Sequence, residues 1–282
     1  MSSTLSGLRR RGLTATQLKL FAVVTMFIDH LTFTFLERTY DAATGYVTLY
    51  TSDTLYWLDR IGRCIGRQAF PIFAFFIVEG FWHTRSRARY LGRLTFFAVI
   101  SQLPFHLMCY TGPVGSTRTV GLSVYATLAL GLAAIWILDV LFMRRLPPCR
   151  LRTLVRHDNV SPDRVCSPAE LVLRGIAAAA AVAGICAAAV YLNTDYDYIG
   201  VIAIVLFYLL RGNRRAAVML VWVWITWGSS MEFFALPGLL LLTLYNGERG
   251  GHAGRAGQYA FYLFYPVHMT LLWALRVLIC GY

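Results

Sequence analysis

Stretches of about twenty apolar residues, separated by clusters of arginine, run the length of this 282-residue chain. A helix needs roughly 20 mostly apolar residues to cross the hydrocarbon core of a bilayer. Nine such segments are predicted, at 17 to 38, 65 to 84, 89 to 109, 119 to 143, 169 to 191, 198 to 211, 215 to 229, 232 to 246 and 257 to 279, and the sixth to eighth are short. Charged residues make up 14% of the chain and apolar residues 57%, against about a quarter and 45–50% in soluble domains. A soluble enzyme scaffold is excluded. The expected fold is an all-α integral membrane protein, a single polytopic bundle of about nine transmembrane helices over residues 1–282.

The positive charges alternate between the two sides of that bundle. Of the 26 basic residues, Lys19 alone is a lysine. Twenty fall on the N-terminal segment and the even-numbered loops: Arg9, Arg10, Arg11 and Lys19; then Arg85, Arg87, Arg89 and Arg93; seven between Arg144 and Arg174; Arg211, Arg214 and Arg215; Arg249 and Arg255. Five face the other way (Arg38, Arg60, Arg63, Arg118 and Arg276), and Arg67 lies inside a span. Loops rich in Lys and Arg stay in the cytoplasm, so the N-terminus is expected there and the C-terminus outside. A net charge of +12 calls for anionic neighbours, lipid headgroups or an anionic cofactor at the cytosolic face rather than nucleic acid.

The first span contains Asp29 and His30 and no small-residue cleavage site follows it, so it reads as a retained helix and not a leader. The Arg- and Pro-rich loop 144–168 divides the chain into halves. The six cysteines show no C-x-x-C or zinc-like spacing; they read as packing residues, with Cys64 and Cys109 near enough to the outer face to meet. No metal site is expected.

Ionisable groups inside a span cost several kcal/mol each, which marks Asp29 and His30 in the first span, Arg67, Glu79 and His83 in the second, Ser101 with His106 in the third, and His268 in the ninth as candidates. Arg63, Arg93 and Glu232 are explained by interfacial placement. Lys19 and His30 are eleven residues apart, so they share a helix face about 16 Å apart along the axis. That spacing fits a phosphate-headed cofactor with a long reactive arm, and equally a helix that ends at Lys19 with His30 bonded to a neighbouring helix. Adjacent helical residues point about 100° apart, so Asp29 needs a partner other than His30, and Arg67 is the expected one. Glu79 and His83 stand at i, i+4, where a carboxylate can hold an imidazole. The turn-rich loop Tyr245 to Gly251, with Asn246 and Arg249, offers backbone amides and a cation to a phosphate. In the ninth span, Tyr265-Pro266-Val267-His268 sets a proline bend beside a histidine.

These blocks resemble the TraX family of membrane proteins. Lys19 leading to Met26-Phe27-Ile28-Asp29-His30 is similar to the family's opening K…M-x-I-D-H motif. Gly66-Arg67-Gln68-Ala69-Phe70-Pro71-Ile72-Phe73, Glu79-Gly80, Thr84, Tyr90 and Arg93-Leu94 resemble its central block, and Ser101-Gln102-Leu103-Pro104-Phe105 its S-x-x-P-F continuation. Tyr245-Asn246-Gly247 and Tyr262…Phe264-Tyr265-Pro266-Val267-His268 match the C-terminal Y-N-G and F-Y-x-F-Y-P-x-H. The chain departs from the pattern at Leu31-Thr32, where a glycine is expected, and at Ser123, which replaces an asparagine ahead of Thr127.

The resemblance implies an acetyltransferase in the bacterial inner membrane, using acetyl-CoA as cosubstrate; the family's named member acetylates the N-terminal amine of pilin. The chain is also similar to acyltransferase-3-like enzymes, in which a basic residue and a histidine ten intervening residues later carry acyl-CoA chemistry. On that reading His30 is the general base, Asp29 holds Arg67 or His268, and Arg67 or a backbone donor stabilises the oxyanion. Lys19, Arg85, Arg93 and Arg249 bind phosphates, with Glu79, His83 and Asn246 beside them. Arg63, Ser101, Tyr265 and His268 line the acceptor pocket, and the acceptor is a protein or other cell-envelope amine or hydroxyl. The rival expectation from buried polar residues alone is a transporter or flippase.

Overall fold

The computed structural model describes residues 12–37, 39–40, 47–48, 53–109, 121–145, 167–251 and 255–280. Most of the arginine-rich loop lies outside them, as do Arg9, Arg10, Arg11, Arg38 and Arg118. Among the described residues the structure is helical apart from a two-residue hairpin, Thr39–Tyr40 with Val47–Thr48. The α-helices are α1 (Ala15–Thr32), α2 (Asp53–Gly66), α3 (Ala69–His83), α4 (Arg87–Cys109), α5 (Val124–Leu141), α6 (Pro168–Tyr191), α7 (Asp197–Leu209), α8 (Arg214–Gly228), α9 (Leu236–Thr243) and α10 (Arg255–Cys280). A π-turn, Phe33–Glu37, continues α1, and a 3-10 turn, Ser230–Ala235, leads into α9.

The nine expected segments fit these elements with one correction. The second segment begins at Asp53 and not near 65: α2 and α3 join across Arg67-Gln68 into a 31-residue apolar stretch. Arg60 and Arg63, expected in an outer loop, are therefore helical. Among the described residues five stretches are long and apolar enough to cross a membrane alone (15–36, 53–83, 124–145, 168–191 and 259–279).

Local sequence sets the helix ends. Thr14 and Gln17 form a capping box at the start of α1, and Ser167 caps α6 ahead of Pro168. The 13 residues of α7 span only about 20 Å, too short for a bilayer, and its Val201, Ala203, Ile204 and Tyr208 are fully buried at the centre of the bundle. By contrast α6 is mostly exposed and built of Ala, Gly and Val, as suits a lipid-facing edge.

Gly62 and Gly66 lie one turn apart on α2. A methyl on Gly66 would overlap the Asp29 side chain, and one on Gly62 the Thr32 side chain. This small-xxx-small spacing lets the α1 and α2 backbones approach closely, which brings Asp29 within reach of the arginines of α2.

One end of the bundle gathers the start of α1, the ends of α3, α5, α7 and α9, and the starts of α4, α8 and α10; it is the basic end. There Leu13 N–H donates to Leu244 O at 2.8 Å, and Asn246 N–H to Leu13 O at 2.9 Å. Asp139, fully buried, accepts from Arg87 Nη1 (2.7 Å), Arg144 Nε (2.8 Å) and the Tyr208 hydroxyl (2.8 Å), tying α4, α5 and α7 together. At the opposite end Leu122 N–H donates to Asn193 O, joining the entry of α5 to the turn between α6 and α7.

Candidate active site

A cavity of about 510 Å³ opens at the basic end. Lys19, His83, Arg85, Arg93 and Arg249 stand at its mouth, and it narrows between Phe73, Phe76 and Leu94 to a floor of Tyr125, Leu128 and Tyr262. Glu79 lines it too. The Lys19 ammonium sits 4.8 Å from the centre of the Phe76 ring, an attraction that holds the cation on an otherwise apolar wall.

The floor is fixed by a proline. Pro266 has no N–H, so the carbonyl four residues earlier, Tyr262 O, loses its helical partner. The Tyr125 hydroxyl donates to that oxygen at 3.1 Å, locking α5 to α10. Tyr125 then meets Tyr265 edge-on, with ring centroids 5.0 Å apart, and Tyr265 stands 6.0 Å from the ring of His30 and 5.8 Å from that of His268. One tyrosine thus separates the cavity floor from a histidine pair.

His30 Nδ1 and His268 Nε2 are 2.6 Å apart with ring planes parallel to 1°. Stacked rings would keep their atoms about 3.5 Å apart, so the two imidazoles meet edge to edge through a hydrogen bond. The proton positions follow from the next contact. His268 Nδ1 lies 2.7 Å from Phe264 O, and a carbonyl only accepts, so Nδ1 carries the proton. Neutral His268 then presents a lone pair at Nε2, His30 donates from Nδ1, and His30 Nε2 keeps a free lone pair.

Behind His30 is an ion network. Asp29 Oδ2 accepts from Arg63 Nη1 at 2.7 Å and Oδ1 from Arg67 Nη2 at 2.9 Å. Arg67 Nη1 reaches Glu232 Oε1 at 3.2 Å, and its Nε points to Arg63 O at 3.4 Å. The expected Asp29–Arg67 pair is present. Arg67 braces Asp29 through these contacts, which use one N–H on each of its three nitrogens. Asp29 Oδ2 also comes within 4.0 Å of His30 Nε2, so the adjacent side chains converge despite their helical offset. His268 is held by His30 and Phe264 and not by Asp29.

Other expectations are met or redrawn. His83 Nδ1 bonds to the backbone oxygen of Glu79 at 2.7 Å and lies 4.0 Å from Glu79 Oε2, so the expected i, i+4 contact is made, while Glu79 Oε1 also takes Arg211 Nε at 3.1 Å. Asn246 turns its side-chain oxygen onto the N–H of Glu248 at 2.9 Å and shapes the loop without lining the cavity. That loop spends its carbonyls on α1: Glu248 O accepts from Ala15 N–H, and Arg249 O and Gly250 O both face the Thr16 hydroxyl. Ser101 is fully buried and away from the cavity lining. Cys64 and Cys109 are not joined in a disulfide.

One residue was misplaced by the sequence reading and another missed. Glu232 is buried in the Arg67 network rather than placed at an interface, and Asp139 anchors the basic end. A carboxylate inside the fourth apolar segment was a readable signal for Asp139; nothing local in the sequence tells Glu232 from an interfacial acid. Among the described residues no three His, Cys, Asp or Glu side chains converge as metal ligands would.

Comparison with known proteins adds the family. The sequence model described as TraX protein matches residues 14–276. A probable fimbrial assembly protein, FimC of serogroup H1 from Dichelobacter nodosus, is 40% identical over 92 residues, 33% of this chain and 31% of that relative. The aligned part therefore spans about a third of the curated relative. No solved structure matches.

Proposed function

The chain belongs to the TraX family, and from that premise we propose that this membrane protein is an acetyltransferase, moving an acetyl group from acetyl-CoA to an amine or hydroxyl of a cell-envelope acceptor. The observation that carries this reading is a cation-rimmed cavity whose floor lies one tyrosine, Tyr265, away from the His30–His268 pair. Lys19 and Arg249 hold the donor's diphosphate at the basic end, placed in the cytoplasm by its excess of arginine. The apolar walls take the pantetheine arm, and the thioester comes to the Tyr125 floor.

His30 Nε2 accepts the proton from the acceptor as its nitrogen or oxygen attacks the thioester carbon. The new C–N or C–O bond forms, the C–S bond breaks, and His30 returns that proton to the departing thiolate. During this exchange the imidazolium is stabilised by the Nδ1 hydrogen bond to His268 and by the nearby Asp29 carboxylate. Tyr265, edge-on to both imidazoles, or a remaining N–H of Arg67 is the donor to the developing oxyanion. The name of the fimbrial relative favours a pilin-type protein as acceptor.

Lys19→Ala tests the donor site. It raises the KM for acetyl-CoA about tenfold or more with a smaller fall in kcat, because a cation at the mouth binds ground and transition states alike. An unchanged KM contradicts the placement.

A further inference from the structure

A second recess, about 310 Å³, adjoins the cavity mouth and is walled by Thr84, Arg85, Ser86, Arg89 and Arg93. Arg89 and Arg93 stand at i, i+4 on α4 and share one side of it, while Arg85 precedes the helix in the bend that walls the recess. Like charges at this spacing destabilise a helix, and none of the three has a carboxylate partner among the described residues. Three acids of the basic end are committed elsewhere, Asp139 to Arg87 and Arg144, Glu79 to Arg211 and Glu170 to Arg174. Arg93 Nε is buried without a hydrogen-bond partner. Ser86 Oγ accepts from the Arg89 N–H at 3.3 Å, while the Thr84 hydroxyl is turned onto Ser86 O at 3.2 Å. The positive end of the 23-residue α4 faces the same space.

We infer that this recess is a phosphomonoester subsite and that it takes the ribose 3′-phosphate of the coenzyme A donor, with Arg89 as the residue that distinguishes CoA from its dephosphorylated form. This rests on the acetyl-CoA reading above. Lys19 and Arg249 serve the diphosphate at the main cavity, whereas Arg89 faces only the recess. A dianionic phosphomonoester on a lipid headgroup offers the same chemistry, so the test separates the two sources.

The test is equilibrium binding of CoA and of dephospho-CoA to the full chain in neutral-lipid nanodiscs, for wild type, Arg89→Ala and Arg89→Lys, with phosphatidate binding measured in parallel. The wild type should bind CoA about tenfold or more tightly than dephospho-CoA, the scale of one charge-assisted hydrogen bond. Arg89→Ala should lower CoA affinity to the dephospho-CoA level without changing the latter, and Arg89→Lys should retain most of the difference. Equal wild-type affinities overturn the subsite and leave the donor site standing. Binding of neither ligand overturns the acetyl-CoA reading and the subsite with it. If Arg89→Ala abolishes phosphatidate binding and leaves the CoA preference intact, the recess is a lipid site and the assignment fails.

Discussion

His30 donates its Nδ1 proton to His268 Nε2 across 2.6 Å, and His268 is itself fixed by the Phe264 carbonyl. Residues 238 positions apart thereby decide which nitrogen of His30 is basic. On the proposed function His268 positions His30: His268→Ala should lower kcat about 10- to 100-fold with KM for acetyl-CoA nearly unchanged, within the loss seen when outer-shell partners are removed. His268→Gln, which keeps an acceptor at the end of the side chain, should recover part of that loss. Steady-state kinetics on equal amounts of folded protein check it, and a change confined to KM contradicts it.

The Asp29 network gives a stability prediction. Asp29→Asn removes the charge that both Arg63 and Arg67 pair with. Loss of one partner from a buried pair costs about 3–5 kcal/mol, and the partial exposure of both arginines lowers this to about 2–4 kcal/mol. Thermal unfolding in detergent should show a clear fall in Tm, and an unchanged Tm would show that the pairs are not formed.

Gly66→Ala probes the close approach of α1 and α2. The added methyl overlaps Asp29, and such overpacking typically costs about 1–3 kcal/mol. Gly92→Ala, where a methyl meets nothing within 4 Å, should leave stability unchanged or slightly raised because alanine is the better helix former. Equal Tm shifts for the two variants contradict the packing account.

Tyr125 closes the cavity floor. Tyr125→Ala should raise kcat/KM for hexanoyl-CoA relative to acetyl-CoA by at least about tenfold, since each methylene admitted to an apolar pocket is worth about 1–3 kcal/mol. Tyr125→Phe keeps the ring and should keep the preference for acetyl, losing only the bond to Tyr262 O.

The helices and the face shared by Lys19 and His30 were legible because a bilayer fixes segment length and helical geometry fixes spacing. The Asp29–Arg67 pair was legible because a buried carboxylate needs a cation and Arg67 was close at hand. Pairings between distant segments were not: Glu79 finds Arg211, and Arg67 finds Glu232, 165 residues away, through packing that no local pattern encodes. The start of the second span was misplaced because α2 carries Asp53, Asp59, Arg60 and Arg63 among its apolar residues, which hides a helix continuous with α3.

The central claim is that His30 is the general base of acetyl transfer. Release of free thiol from acetyl-CoA by the purified protein, in the presence of acceptor, tests it most directly against His30→Ala at equal folded protein. The account predicts a rate lowered about 10²- to 10⁴-fold in the variant; a His30→Ala protein that releases thiol at the wild-type rate would contradict it.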